Sequence, residues 1–108
     1  MKTKILTACA LALLWPAGAA YAQQTSEADL RAGSVLASSC ANCHGTFGTA
    51  QGAMPSLAGQ QKTHIVEQMR AFRDGKRPAT IMHQLAKGYT DQQIELIADF
   101  FSRQKPAR

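Results

Sequence analysis

The sequence predicts an all-α fold of three main helices joined by two long loops. Three stretches repeat their apolar residues at the helical period, and no stretch alternates apolar and polar residues as a half-buried strand would. The segments between the helices are longer than so small a domain usually tolerates, which suggests a bound group around which they wrap. With 108 residues the chain has room for one domain, and a multidomain enzyme is excluded.

Residues 1–22 read as an export signal. Lys2 and Lys4 form a positive start, Ile5 to Trp15 an apolar stretch broken only by Thr7, and Ala20-Tyr21-Ala22 a small-x-small cleavage site ahead of Gln23. The apolar run is well short of the ~20 residues a spanning helix needs. The expected product is therefore a single periplasmic domain, residues 23–108, without stable membrane insertion. Lipid attachment at Cys9, on Leu6-Thr7-Ala8-Cys9, is set aside because most of the apolar stretch follows that cysteine. Cleavage takes two lysines and no acid from a formal charge of +5, so the mature balance is only mildly basic. Its aromatics (Phe47, Phe72, Tyr89, Phe100, Phe101) are scattered at core-like positions rather than interleaved with a basic face, which argues against nucleic-acid binding.

The first helix, 26–37, opens on Ser26 as N-cap, with Glu27 and Asp29 at the positive end of the helix dipole. It runs into Cys40-Ala41-Asn42-Cys43-His44. From Gly45 to Gly59, four glycines and Pro55 with little periodicity read as an ordered loop passing close to something. Residues 62–73 resume helical spacing, with Ile65, Met69 and Phe72 on one stripe and Asp74-Gly75 ending it. A second loop, 76–89, is centred on Pro78 and Met82. Thr90 and Gln93 then fit a capping box, Ile94, Ile97, Ala98 and Phe101 follow on one face, and Arg103-Gln104-Lys105-Pro106 closes the helix.

The run from Cys40 to His44 is a C-x-x-C-H motif, the attachment signature of haem c. Two thiols three residues apart can add across the two vinyl groups of one porphyrin edge, and the next residue then presents an imidazole to the iron. Export removes Cys9, so Cys40 and Cys43 are the remaining thiols, and haem c is attached outside the cytoplasm: leader and motif support one another. A thiol oxidoreductase would set its C-x-x-C at a strand-to-helix junction, and no strand pattern is present. A structural zinc site would need four ligands and would have to recruit His64 or His83 from afar.

The sixth iron position separates a site that binds small molecules from one that only moves electrons. Met54, Met69, Met82, His64 and His83 are the candidates. Met69 lies on a helix stripe and reads as core; Met54 precedes Pro55 near the loop that would support His44, on the wrong side. His64, near a helix start, reads as partly exposed. Met82 is far enough along the chain to reach the opposite haem face and is preferred. His83 competes as a second imidazole and otherwise reads as its solvent-facing neighbour. Ligating imidazoles generally have their other ring nitrogen fixed by an acceptor. Pro55 can offer a carbonyl and no N–H, although an ordinary loop proline reads equally well. Arg70, Arg73, Lys76 and Arg77 either meet haem propionates or an acidic partner, or simply complement the end of the middle helix.

Cys40-Ala-Asn-Cys-His44, Pro55-Ser-Leu-Ala-Gly59-Gln60, Phe72-Arg-Asp-Gly-Lys-Arg77, and Thr80-Ile-Met-His83 with Ala86-Lys-Gly-Tyr-Thr-Asp91 together resemble the small class I c-type cytochromes. Within that class they resemble the cytochrome subunits of flavocytochrome c sulfide dehydrogenases. The resemblance implies a class I fold around one haem c held by Cys40 and Cys43, with His44 and Met82 as axial ligands and Pro55 as the carbonyl partner of His44. It implies that Gly33 and Phe100 mark the crossing of the terminal helices, where pattern alone cannot choose between Phe100 and Phe101.

Functionally the resemblance implies one-electron transfer, with catalysis on another chain. A flavoprotein (FAD) subunit would oxidise sulfide and pass electrons singly to this chain, which would hand them to a downstream cytochrome or oxidase. The alternative is a freely diffusing cytochrome serving a terminal oxidase or another cytochrome. An open-site haem enzyme or gas sensor is a third reading, and it fails if Met82 binds iron. Some members of the family hold two haems in tandem domains; one C-x-x-C-H here gives the expectation of a single-haem form.

Overall fold

Ser26 opens the first helix by a reciprocal cap, because a helix start leaves backbone donors without partners. Its hydroxyl accepts from the Asp29 N–H at 3.1 Å and the Asp29 carboxylate accepts from the Ser26 N–H at 3.3 Å. The computed structural model describes residues 25–106, so the export signal expected at 1–22 lies outside the described residues. In chain order the helices are α1 (Glu27–Ala37), α2 (Ala41–His44), α3 (Lys62–Arg73), α4 (Met82–Leu85) and α5 (Asp91–Ser102), with single 3-10 turns at Thr46–Gly48 and Ala86–Gly88. No strand occurs among the described residues. Thr90 and Gln93 close the second capping box, at 3.2 Å and 3.0 Å.

Three main helices stand where the periodicity places them. The second loop is more ordered than expected: Met82–Leu85 wind into one turn of α-helix and Ala86–Gly88 into a 3-10 turn. Both pack on α3. A single turn is too short to show a period and is unstable alone, so its packing supports it.

The core joins Ala37 of α1, Ile65, Val66 and Met69 of α3, Ala86, and Ile94, Ile97, Ala98 and Phe101 of α5. Met69 is core, as its stripe position predicts. Where α1 crosses α5, a Cβ on Gly33 would stand 2.7 Å from the Leu96 carbonyl oxygen and 3.6 Å from the Phe100 Cβ. The Gly33–Phe100 crossing is therefore present, and its tightest contact is backbone. Phe100 is half-buried at that crossing; Phe101 is fully buried, with the two rings edge to face at 5.2 Å.

Ion pairs hold α3 against α5. Lys62 reaches Glu95 at 3.4 Å and Asp99 at 3.9 Å; Arg70 reaches Asp91 at 3.2 Å and Glu95 at 3.4 Å; Arg73 reaches Asp91 at 2.9 Å. Arg70 and Arg73 are thus engaged inside the fold.

Hydrogen bonds from Arg73, and then from Arg70, hold the Asp91 carboxyl below its usual range. A carboxyl lowered on folding stabilises the protein above its unfolded pKa, about 3.9, and loses that contribution as pH falls through the folded value. Asp91→Asn is expected to lower the guanidinium midpoint at pH 7, with the gap from the unsubstituted protein narrowing below about pH 4. Far-UV circular dichroism at the two pH values checks this, and a gap of constant size would count against it.

Candidate functional site

One helical turn arranges the motif. Cys40 N–H donates to the Ala37 carbonyl at 3.0 Å as α1 ends, and His44 N–H donates to the Cys40 carbonyl at 2.8 Å as α2 winds. Residues i, i+3 and i+4 share a helix face, so Cys40, Cys43 and His44 lie along one side of this turn. Cys40 and Cys43 form no disulfide; Cys43 is exposed, whereas Cys40 is half-buried and packs against the core. Burial pushes the Cys40 thiol above its ordinary pKa, partly offset by a hydrogen bond with Ser39.

His44 is buried, and its Nδ1 lies 2.7 Å from the Pro55 carbonyl oxygen. A carbonyl only accepts, so Nδ1 carries the proton and Nε2 keeps the lone pair that a metal takes. The intervening loop is built to deliver that carbonyl. Directly after His44 the chain reverses at Gly45, at φ +81, where a Cβ would collide with the Thr49 carbonyl oxygen. The Gly48 carbonyl then accepts from Leu57 and Ala58 N–H at 2.8 Å and 3.1 Å, the Ser56 hydroxyl accepts from Ala50 N–H at 3.0 Å, and Gly59 N–H donates to the Phe101 carbonyl at 2.9 Å. The loop is thus ordered, as its glycines predict.

Phe47 departs from the sequence reading. It does not sit at a core-like position but is 62% exposed at φ 55, a left-handed conformation uncommon for a bulky side chain. It lies between Gly45 and Gly48, in a 3-10 turn whose N–H···O bond from Gly48 to Gly45 fixes the backbone.

Met82 is the first residue of α4, half-buried and packed against the core. Met54 is exposed beside Pro55, and His64 is exposed on α3. His83 is not solvent-facing as expected: it is half-buried, and its Nδ1 is sealed from solvent without a hydrogen-bond partner among the described residues. It follows Met82 on a turn packed against α3, which explains the burial. An unpaired buried ring nitrogen is costly, and it fits a group that these protein residues do not supply. With the free Nε2 of His44 and two thiols on one face, the donor set suits a covalently held metalloporphyrin. No cluster of three or more His, Cys, Asp or Glu side chains, as a structural zinc site requires, forms among the described residues.

The structure also shows what the sequence does not. Tyr89 and Ser39 hydroxyls meet at 2.8 Å, tying the segment after α4 to the residue before Cys40. Nothing local in the sequence signals a contact across 50 residues.

Comparison with known proteins identifies a family described as "Cytochrome C oxidase, cbb3-type, subunit III", matched by residues 27–101. The chain is 42% identical over 69 residues to the cytochrome subunit of sulfide dehydrogenase of Chlorobaculum tepidum, covering 64% of this chain and 63% of that protein. It is 32% identical over 109 residues to a thiosulfate dehydrogenase electron acceptor of Thiomonas intermedia, covering 99% and 46%. A solved cytochrome c4 of Acidithiobacillus ferrooxidans superposes with a TM-score of 0.57 at 40% identity, covering 58% of this chain and 37% of that one. The chain spans less than two thirds of the length of each of these proteins.

Proposed function

Because the chain belongs to the cytochrome family matched by residues 27–101, carries covalently bound haem c and serves as an electron carrier, we propose that it receives electrons from a flavoprotein sulfide dehydrogenase in the periplasm. In this reading residues 23–108 form one domain after export, and the partner subunit holds the FAD and the sulfide chemistry. The 42% identity to a sulfide dehydrogenase cytochrome subunit supports that partner.

Bound haem c supplies a one-electron iron couple. Cys40 and Cys43 would hold it by thioether bonds, and His44 and Met82 would ligate its iron. The observation that carries this assignment is the 2.7 Å contact from His44 Nδ1 to the Pro55 carbonyl, which fixes the tautomer and points the other nitrogen away. By drawing on the Nδ1 proton, the carbonyl makes the imidazole a stronger donor and favours the oxidised metal. The soft sulfur of Met82 favours the reduced one, so the two residues set the potential from opposite sides. With His44 and Met82 both donating to the iron, no substrate would bond to the metal, and exchange with a partner would be outer-sphere.

The match over 99% of the chain to a thiosulfate dehydrogenase electron acceptor favours a second reading, a freely diffusing acceptor that hands electrons to another cytochrome or an oxidase. Purification of the tagged chain from its native periplasm at low salt separates the two. The expected result is a stoichiometric flavoprotein whose flavin bleaches on adding sulfide, with haem reduction following. A lone cytochrome with no flavin would overturn the subunit reading and leave the diffusing carrier.

A further inference from the structure

The segment that carries Met82 has few polar ties to the rest of the molecule. Lys76 and Arg77 N–H both donate to the Ala71 carbonyl, at 2.9 Å and 3.1 Å, which fixes the chain as it leaves α3. Thr90 fixes it again as the N-cap of α5. Between these points, in residues 78–89, the backbone bonds close on the segment itself: Gln84 and Leu85 N–H donate to the Ile81 carbonyl, Ala86 N–H to Met82 and Tyr89 N–H to Ala86. No side chain caps α4, and no ion pair reaches the segment among the described residues. A single hydrogen bond leaves it among those residues, between the Tyr89 and Ser39 hydroxyls at 2.8 Å. The rest of the hold is apolar, through the fully buried Ala86 and the half-buried Met82 and Tyr89.

Where that one bond lands matters. Ser39 directly precedes Cys40, and its hydroxyl donates to the Leu36 carbonyl at 3.1 Å in the last turn of α1. With the serine proton engaged there, the Tyr89 O–H donates and the Ser39 oxygen accepts. The relay from Tyr89 through Ser39 to Leu36 thus fastens the segment bearing Met82 to the helix end that leads into Cys40–His44. Apolar packing opposes separation without fixing a register, whereas a hydrogen bond demands one distance and direction. A segment with so few polar ties opens at lower cost than the domain as a whole.

We propose that Tyr89 is a positioning residue for the sixth iron ligand: through Ser39 its hydroxyl latches the Met82 turn against the haem-attachment turn and sets how often the sulfur leaves the iron. The inference rests on the assignment of Met82 as that ligand.

The test times imidazole entry in the oxidised holoprotein. Imidazole in excess takes the sixth position only when sulfur leaves it, so loss of the sulfur-to-iron charge-transfer band reports the opening. Tyr89→Phe removes the hydroxyl and keeps the packing of the ring. It is expected to speed entry about three- to tenfold, the range that the net contribution of one hydrogen bond gives. Ser39→Ala is expected to do the same, and the two substitutions together no more than either alone, because one bond is lost in all three cases. Asp29→Ala, which breaks the reciprocal cap at the far end of α1, is expected to lower the guanidinium midpoint while leaving the entry rate within about twofold.

An unchanged rate in Tyr89→Phe would overturn the proposal. Equal acceleration in Asp29→Ala would do so too, since entry would then follow the stability of the whole domain. Additive effects of the two hydroxyl removals would show that the groups act separately, and would also overturn it. Absence of the charge-transfer band in the unsubstituted protein would instead remove Met82 from the iron, and the proposal with it.

Discussion

Met82→Ala is expected to abolish the sulfur-to-iron charge-transfer band of the oxidised protein and to lower its potential by a sizeable part of the ~0.8 V over which axial ligation acts. Thioether sulfur is soft and stabilises reduced iron, so its loss favours the oxidised state. The side chain is half-buried against the core, so truncation also costs some packing, less than the roughly 2–5 kcal/mol of a fully buried methionine. His83 follows directly and has a buried unpaired nitrogen, so it is the group placed to substitute. Met82→Ala paired with His83→Ala separates the effects: the single variant stays low-spin if imidazole replaces sulfur, and the double variant becomes high-spin. Optical spectroscopy and potentiometry check both, and an unchanged band in Met82→Ala would remove this residue from the iron.

Gly45→Ala should be the most damaging of the glycine substitutions near the site. At φ +81 a side chain costs about 1–2 kcal/mol on conformation alone. The added Cβ also collides with the Thr49 carbonyl oxygen, and neither partner is a flexible side chain. A loss of about 3 kcal/mol or more is expected, against a total stability of about 5–15 kcal/mol for a domain. Because the reversal at Gly45 begins the loop that presents the Pro55 carbonyl, the potential should move as well. Gly52→Ala is the control: its φ is +67, but a Cβ there meets nothing within 4 Å, so it pays only the conformational part. Guanidinium unfolding of the holoproteins compares them, and equal losses would show that the Thr49 contact is relieved by local movement.

Local chemistry made much of this fold legible. Ser26 with Asp29 and Thr90 with Gln93 cap helices within three residues of themselves, and the stripes holding Met69 and Phe101 need only the helical period. Partners far apart in sequence stayed hidden. Arg70 and Arg73 read equally well as helix-end solvation or as a partner surface, because Asp91 lies many residues away on another helix. The Ser39–Tyr89 contact and the buried nitrogen of His83 depend likewise on how α4 settles on α3. Phe47 misled because an aromatic residue signals core by composition, whereas its exposure is set by a backbone reversal between two glycines. The site was legible for the opposite reason: Cys40, Cys43 and His44 fall within one helical turn, and only the resemblance advanced Pro55 from an ordinary loop proline to the partner of His44.

That partner is main chain, and this limits how the protein can be retuned. Substituting residue 55 changes a ring for another side chain but leaves an oxygen of the same basicity on the peptide, so mutation of residue 55 itself cannot delete the acceptor from His44. Inheritance of the proximal setting therefore passes through the length and path of the segment from Gly45 to Pro55 rather than through the identity of its last residue. An engineer seeking a more positive potential on that side would have to alter that path, by disturbing the reversal at Gly45 or by inserting or removing a residue.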